Sequence, residues 1–277
     1  MKERLKKYKR ILLLMAFILA AGMVSGCGGS NEKSEATEED SLSRIKEKGK
    51  IVIATEGNWI PWSYGFGKNG LTGFDVELAR LIADKLEVKP EFIETDWDSI
   101  FEGLDSGKYD IAINGIGINE KREQKYIFSK PYAYVRPGLF ARADDETIKS
   151  FEDLKGKTTE DTPNSTFSEL AQEYGAKDKA NYKSLDIILE HVEKGQVDAT
   201  VNADVSYYFY KRGHPKANIK LAAVMEKPEE LAIPMVRDKK NESLREAIND
   251  AIDELRSEGK LSDLSKEFFN TDATIEK

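Results

Sequence analysis

Strand-like and helix-like segments alternate along the first half of the chain, and this alternation restricts the possible fold more than any other feature. A short apolar run at 51–54 has the length of a buried strand. Apolar residues then recur at helical spacing over 74–86. Further strands are predicted at 92–93 and 109–113. This order of strands and helices favours a mostly parallel sheet covered by helices.

A second series of alternating segments begins after Arg142 and continues to a helical C-terminus. The predicted helices are 166–174, 185–192, 205–212 and 242–256, and the predicted strands are 197–201, 219–224 and 231–233. Two α/β units followed by helices predict a two-lobed α/β protein whose end returns to the first lobe. The expected boundaries are 44–137 for lobe 1, 138–230 for lobe 2 and 231–277 for the returning segment.

The N-terminus has the pattern of an export signal. Six basic residues precede an apolar run at 11–24. That run is 14 residues long, whereas a helix needs roughly 20 residues to cross a bilayer. A basic stretch before a short apolar segment is typical of a signal peptide. We therefore predict removal of residues 1–26.

The cysteine that follows is predicted to carry lipid. Val24-Ser25-Gly26-Cys27 resembles a bacterial lipobox, in which Cys27 becomes the lipidated N-terminus. A simple secretory signal with a chance cysteine is the alternative. Two or more acyl chains give stable membrane attachment. Residues 27–43 are rich in Gly, Ser and Glu and are predicted to be a flexible tether.

Composition excludes several classes of function. Because the chain has one cysteine, it has no internal disulfide and no thiolate metal cluster. Its two histidines leave little for a zinc site or a histidine-dependent triad. A net charge of −8 argues against a nucleic-acid groove. We expect no metal, no cofactor and no nucleic-acid partner. The GxGxxG pattern at 65–70 is interpreted as a β-turn, since it contains Asn-Gly and does not follow a buried strand.

A glycine-containing loop at 114–122 follows a predicted strand of the first unit. Ligands of open α/β sheets bind at such strand ends. Arg122 offers a planar fork that suits a carboxylate, although an ordinary loop with a solvated arginine is the alternative. Trp59, Trp62 and Trp97 lie at loop-like positions, where they form either a stacking wall or core contacts. Asp204 either caps a helix or accepts a hydrogen bond from an ammonium group.

These segments together resemble the extracellular solute-binding proteins, family 3, of amino-acid ABC transporters. The resemblance runs from about Gly49 to Phe269. It is carried by the segments 49–57, 71–77, 104–111, 122–126, 128–132, 153–157 and 195–199. It implies a two-lobed periplasmic-binding-protein fold of type II, each lobe having a mostly parallel sheet flanked by helices. Thr55-Glu56-Gly57, Trp97-Asp98 and Asn202 are most similar to binders of cystine and polar amino acids.

The resemblance also implies a set of ligand-binding residues. Arg122 would pair with the ligand α-carboxylate, and Glu56 with Trp59 would line the side-chain pocket. The family's acidic residue for the α-ammonium group often sits at the position of Ala203, and Asp204 is its neighbour, so the residue that holds this group stays open. The complete expected set is Glu56, Trp59, Trp97, Asn114, Gly115, Gly117, Asn119, Arg122, Ser165, Thr166, Asn202 and Asp204.

The expected function is capture of an L-amino acid, such as cystine or another polar or basic amino acid, outside the bacterial cell membrane. The chain would act as a lipid-anchored monomer that delivers its ligand to an ABC permease with a cytoplasmic ATPase. It would not be an enzyme. Two alternatives remain open: an enzyme similar to the cyclohexadienyl dehydratases, with Glu56 as its acid–base group, and a ligand-sensing module for a membrane signalling partner.

Overall fold

The computed structural model describes residues 40–65, 70–179 and 184–276. The predicted signal peptide at 1–26, Cys27 and the tether up to residue 39 lie outside the described residues. Within the described ranges, no helix is long and apolar enough to cross a membrane.

Helices and strands alternate over most of the described chain, and both are numbered here in chain order. The helices are α1 (Ser41–Lys48), α2 (Phe74–Lys85), α3 (Trp97–Asp105), α4 (Glu120–Glu123), α5 (Thr166–Glu173), α6 (Leu185–Glu193), α7 (Asp204–Gly213), α8 (Glu242–Ser257) and α9 (Lys260–Phe269), with 3₁₀ turns at Phe151–Leu154 and Lys239–Asn241. The strands are β1 (Lys50–Thr55), β2 (Asn58–Trp59), β3 (Ser63–Gly65), β4 (Leu71–Thr72), β5 (Lys89–Glu94), β6 (Ile111–Ala112), β7 (Tyr126–Phe128), β8 (Ala133–Val135), β9 (Pro137–Arg142), β10 (Thr158–Thr159), β11 (Lys177–Asp178), β12 (Ala199–Ala203), β13 (Ile219–Val224), β14 (Glu229–Leu231) and β15 (Pro234–Val236).

The first lobe is built around a parallel three-stranded sheet in the order β5–β1–β6. In this sheet Ile53 lies opposite Phe92 on one side and Ile111 on the other. The predicted order of strands and helices in this part of the chain is therefore present. Because the strands are parallel, the residues that follow β1 and β6 lie at the same edge of the sheet.

The second lobe is built around a five-stranded sheet in the order β11–β10–β12–β9–β13. Strand β10 pairs in parallel with both its neighbours, whereas β9 is antiparallel to β12 and β13. This sheet is mixed, and not mostly parallel as expected. The difference arises from β9, which was not predicted and which enters the sheet directly from the strand that connects the lobes.

Two short strands connect the lobes. β8 and β14 pair antiparallel, and Leu231 also forms a bridge with Gly117. The single strand predicted at 231–233 is not present: Leu231 ends β14, β15 begins at Pro234, and Ala232 and Ile233 lie between the two strands. The pairing breaks there because Ala232 N donates to Ile116 O and Ile233 N to the Ser129 hydroxyl, so neither amide pairs with β7 or β8.

The folded part begins earlier than predicted. Helix α1 starts at Ser41, within the segment expected to be a tether at 27–43. The Asp40 carboxylate caps it by accepting from Ser43 N at 3.0 Å, and Ile45 is fully buried. The end of the expected tether is therefore folded.

The C-terminal helices return to the first lobe and close its aromatic core. Phe269 packs against Trp62 and Phe74, with ring centroids 4.7 and 4.8 Å apart. Trp62 is fully buried there, so it belongs to the core and not to a ligand-facing wall. The strands on either side of 66–69, β3 and β4, pair antiparallel, as a turn at this position requires.

We expect Phe269→Ala to lower the free energy of unfolding by about 3–5 kcal/mol, because it removes the buried ring that joins α9 to the first lobe. Urea titration of both proteins measures this change. Tyr208→Ala is the control, since the Tyr208 side chain is 51% exposed and its loss should change stability by no more than about 0.5 kcal/mol. Equal losses in the two variants would contradict the packing described here.

Candidate functional site

Asn114 joins the two strand ends of the first lobe. Its side-chain oxygen accepts from Glu56 N at 2.9 Å and from the Thr55 hydroxyl at 3.0 Å. Its side-chain nitrogen donates to Glu56 Oε2 at 2.7 Å. Because this amide is fully buried, it holds both the backbone and the carboxylate of Glu56 in place.

Gly115 allows an aromatic ring to lie directly on the backbone of the loop. Its φ angle is +54°, and a Cβ added there would lie 2.5 Å from the Trp59 ring. On the other side, the buried Asp75 carboxylate accepts from Gly115 N at 2.6 Å. Glycine is therefore required here both for its positive φ and for the close approach of Trp59.

Arg122 is held at the start of α4 and is only 8% exposed. Asn119 caps this helix by accepting from Arg122 N at 2.8 Å, and Arg122 Nη1 donates to Gly117 O at 2.8 Å. The guanidinium carbon lies 5.3 Å from the Trp97 ring centroid and 5.4 Å from that of Phe101. Burial lowers the pKa of Arg122 from its usual value. Such a desolvated guanidinium is a strong site for a carboxylate.

The second lobe contributes the start of α5 and the end of β12. Ser165 caps α5 by accepting from Ser168 N at 3.1 Å, and the Thr166 hydroxyl donates to Glu229 Oε1 at 2.5 Å. The side-chain oxygen of Asn202 accepts from Ala203 N at 2.9 Å.

Two hydrogen bonds cross from the first lobe to the second at this place. Arg122 Nη2 donates to Asn164 O at 3.4 Å, and Asn164 Nδ2 donates to Asp98 Oδ1 at 3.0 Å. Asn164 therefore contacts the first lobe through both its backbone and its side chain.

A cavity of about 30 Å³ lies between these elements. It is lined by Glu56, Trp59, Trp97, Gly115, Arg122, Thr162, Ser165, Thr166, Phe167, Val201 and Asn202. Eight of these are sequence-predicted site residues. Three other predicted residues, Asn114, Gly117 and Asn119, do not line the cavity but hold Glu56 or Arg122. Because ligand pockets usually have volumes of at least about 300 Å³, an amino acid can enter this cavity only if the lobes move apart.

Asp204, one of the residues expected at the site, does not line this cavity. It lines a separate cavity of about 310 Å³. Its Oδ1 accepts from Arg136 N at 3.2 Å and from Val205 N at 2.9 Å, and its Oδ2 lies 3.4 Å from Arg136 Nη2. These contacts hold the carboxylate at Arg136, between β8 and β9, and at the start of α7.

Sequence reasoning missed Thr162, Phe167 and Val201, which also line the cavity. Each lies within three residues of a predicted site residue, so the signal was proximity to Ser165 and Asn202. Among the residues that the structure describes, no group of three or more His, Cys, Asp or Glu side chains is placed to hold a metal ion.

Glu56 is the cavity residue whose protonation is most altered. Burial raises its pKa from the ordinary value of 4.5 to about 7, and the charges of Asp96 and Asp98 add to the effect. The hydrogen bond from Asn114 acts in the opposite direction. A cationic group next to Glu56 would favour its ionised form.

The family described as bacterial extracellular solute-binding proteins, family 3, matches residues 51–271. The chain belongs to this family. The solute-binding protein is 32% identical over 270 residues to the L-cystine-binding protein TcyA of Bacillus subtilis, with coverage of 96% of this chain and 99% of the relative.

Two solved structures show the same two-lobed type II periplasmic-binding-protein fold, which confirms the predicted fold class. The binding protein AbpA of Streptococcus pneumoniae bound to L-arginine is 29% identical, with a TM-score of 0.74 and coverage of 84% and 99% of the two chains. The unliganded, open L-cystine receptor of Neisseria gonorrhoeae is 32% identical, with a TM-score of 0.61 and coverage of 85% and 99%. Of these two structures, the one bound to L-arginine has the higher TM-score.

We expect Glu56→Gln to flatten the pH dependence of stability. The folded protein binds the Glu56 proton more tightly than the unfolded chain, so Glu56 stabilises the fold at low pH and this contribution is lost as pH rises through about 7. Between pH 5 and pH 8, the free energy of unfolding of Glu56→Gln should fall by about 1–3 kcal/mol less than that of the wild type. Urea titration at each pH measures it. The exposed Glu102→Gln is the control and should follow the wild-type curve. Parallel curves for all three proteins would contradict the assignment.

Proposed function

We propose that this protein captures an L-amino acid between its two lobes and delivers it to an ABC permease. The observation that carries the proposal is the buried guanidinium of Arg122 at a cavity formed by both lobes. A relative named for L-cystine binding and a structural neighbour bound to L-arginine support an amino acid as the ligand.

In this proposal Arg122 binds the α-carboxylate, together with backbone N–H groups around Gly117 and Asn119. The Asn119 side chain is already used to cap α4, so it does not contact the ligand. Trp59 and Trp97 enclose the ligand side chain, and Glu56 receives its cationic or hydrogen-bonding group. Cystine and basic amino acids both fit this polarity.

The second lobe completes the site when it closes. Ser165, Thr166 and Asn202 cover the ligand from the side opposite Glu56. We propose lobe boundaries at 137/138, two residues after the end of β8, and at 230/231, within β14, because β8 and β14 are the paired strands that connect the lobes. Ligand binding shifts the population to the closed form by its greater affinity for that form.

We also propose that the protein is a lipoprotein and functions outside the cell membrane as a monomer. The basic segment, the apolar run and the lipobox ending at Cys27 support this location. The function is binding without turnover, since the relatives are named as binding proteins. In the enzyme alternative, Glu56 would be the acid–base group, and product absorbance in the presence of candidate substrates would reveal turnover.

A thermal-shift screen tests the function. We expect L-cystine or one of the common L-amino acids to raise the melting temperature of the mature chain, purified from residue 27 with Cys27→Ser, because a ligand that binds only the folded state stabilises it. The shift should grow with ligand concentration. No shift with any amino acid would overturn the proposed function.

Arg122→Ala should weaken binding of that amino acid by at least about 100-fold, because it leaves the ligand carboxylate without its buried counter-charge. Isothermal titration calorimetry measures the loss. Lys121→Ala is the matched control: it removes the adjacent charge, whose side chain is 83% exposed, and should change affinity by less than about twofold. Wild-type affinity in Arg122→Ala would exclude Arg122 from the carboxylate site.

Cys27→Ser in the full chain should abolish incorporation of a labelled fatty acid into the protein, since Cys27 is the residue predicted to carry the lipid anchor. Immunoprecipitation after growth of the bacterial cells with labelled palmitate measures the incorporation. Ser25→Thr leaves the cysteine in place and should remain labelled. Undiminished label in Cys27→Ser would contradict lipid anchoring.

A further inference from the structure

Glu229, which was not among the predicted site residues and does not line the cavity, places a buried carboxylate next to Thr166, which does line it. It lies on β14, one of the strands that connect the lobes. Its Oε1 accepts the hydroxyl proton of Thr166 at 2.5 Å. Its Oε2 has no hydrogen-bond partner and is shielded from solvent. Half of this carboxylate is therefore unsatisfied, which is costly for a buried charged group.

Gly117 makes room for this carboxylate. A Cβ added to Gly117 would lie 1.8 Å from Glu229 Oε1, so a side chain at this position would exclude Glu229 from its observed place. The carbonyl oxygen of the same glycine accepts from Arg122 Nη1 at 2.8 Å. The Glu229 carboxylate and the Arg122 guanidinium thus both lie next to Gly117.

The two charges act on each other without forming an ion pair. Glu229 is the carboxylate with the largest electrostatic effect on Arg122, yet no ion pair within 4.0 Å joins Arg122 to any described acidic residue. Burial lowers the pKa of Arg122 and raises the pKa of Glu229. Both groups are therefore buried with an incomplete counter-charge.

An α-amino acid carries a carboxylate and an ammonium group on one carbon, so it would supply both missing counter-charges at once. We propose that Glu229 receives the α-ammonium group of the ligand while Arg122 holds its α-carboxylate. This inference rests on the proposed function and adds the acceptor that Asp204 does not provide. Thr166 of the second lobe donates to Glu229, so its hydrogen bond would be affected when an ammonium group binds there.

Two other buried carboxylates near the cavity, Glu56 and Asp161, are not among the charges that act on Arg122, although Asp161 Oδ2, like Glu229 Oε2, has no hydrogen-bond partner. Glu56 is bound by Asn114, and the charges that act on it are those of Asp96 and Asp98. Asp161 Oδ1 accepts from the Thr200 hydroxyl and from Val201 N, both at 2.8 Å, and the charge that acts on Asp161 is Asp178. Among these, Glu229 alone is coupled to Arg122.

Glu229→Gln tests the inference, because it preserves shape and the hydrogen bond from Thr166 but removes the charge. The probes are the amino acid identified in the thermal-shift screen and its analogue without the α-amino group. For L-arginine the analogue is 5-guanidinopentanoate, and for L-cystine it is 3,3′-dithiodipropionate. Calorimetry should show that Glu229→Gln weakens binding of the amino acid by at least about 30-fold and changes the affinity for the analogue by less than about threefold.

The pair of probes separates an ammonium contact from a structural role. Equal weakening of amino acid and analogue would assign Glu229 to support of Arg122 and overturn the inference. An unchanged affinity for both would overturn it as well. Binding of no amino acid by the wild type would instead reject the proposed function, and this inference with it.

Two further variants control the comparison. Glu230→Gln changes the adjacent, exposed carboxylate and should leave both affinities unchanged. Glu229→Met removes the charge at similar length and should give the same selective loss if Glu229→Gln does not fold. Asp161→Asn should weaken binding of the amino acid and binding of the analogue by the same factor. Selective loss of the amino acid in Asp161→Asn, but not in Glu229→Gln, would transfer the ammonium position to Asp161.

Discussion

The hydrogen bonds of the Asn114 amide underlie the rest of the site. Parallel pairing brings the ends of β1 and β6 together, but it does not determine where the side chains after them point. Asn114 does so by binding both the backbone and the carboxylate of Glu56. The loop that continues from Asn114 then leads through two glycines to Arg122. The position of each cavity group in the first lobe thus depends on one satisfied, buried amide.

The distribution of charge gives a physical reason for ligand-dependent closure. In an open form, water would solvate Arg122, Glu56 and Glu229. When the lobes close without a ligand, these groups lose water and gain few partners, as the unsatisfied Glu229 oxygen shows. A zwitterionic or cationic ligand replaces the lost water with counter-charges. Closure is therefore favourable mainly when the right ligand is present, which is what delivery to a permease requires.

Much of the fold could be predicted from local patterns, because the apolar spacing that marks a strand or a helix is visible within its own few residues. The strand predicted at 219–224 has the bounds of β13, and the helix predicted at 242–256 differs from α8 by one residue. Strand β9 was missed because it begins with Pro137 and its pairing depends on strands far along the chain. Nothing local marks those residues as the centre of a sheet.

At the candidate site, too, local patterns could not show which residues distant in sequence come together. The resemblance and the strand-end rule pointed to Glu56, which directly follows β1, and to Arg122, which lies close in sequence to the Gly117 and Asn119 that hold it. Glu229 is 63 residues from Thr166 and could not be associated with it by any local pattern. Asp204 had the right chemistry and a neighbouring position, but the Arg136 backbone and side chain hold it elsewhere.

The first lobe is assembled from both ends of the described chain. The Ser41 hydroxyl donates to Asn241, Lys85 pairs with Glu254, and Phe74 packs on Phe269. The strands of the second sheet, β9 to β13, are in contrast contiguous. During synthesis, the second lobe has all its strands before the first lobe has its closing helices. The segment that carries Glu56 and Arg122 is made early, yet its lobe is completed last.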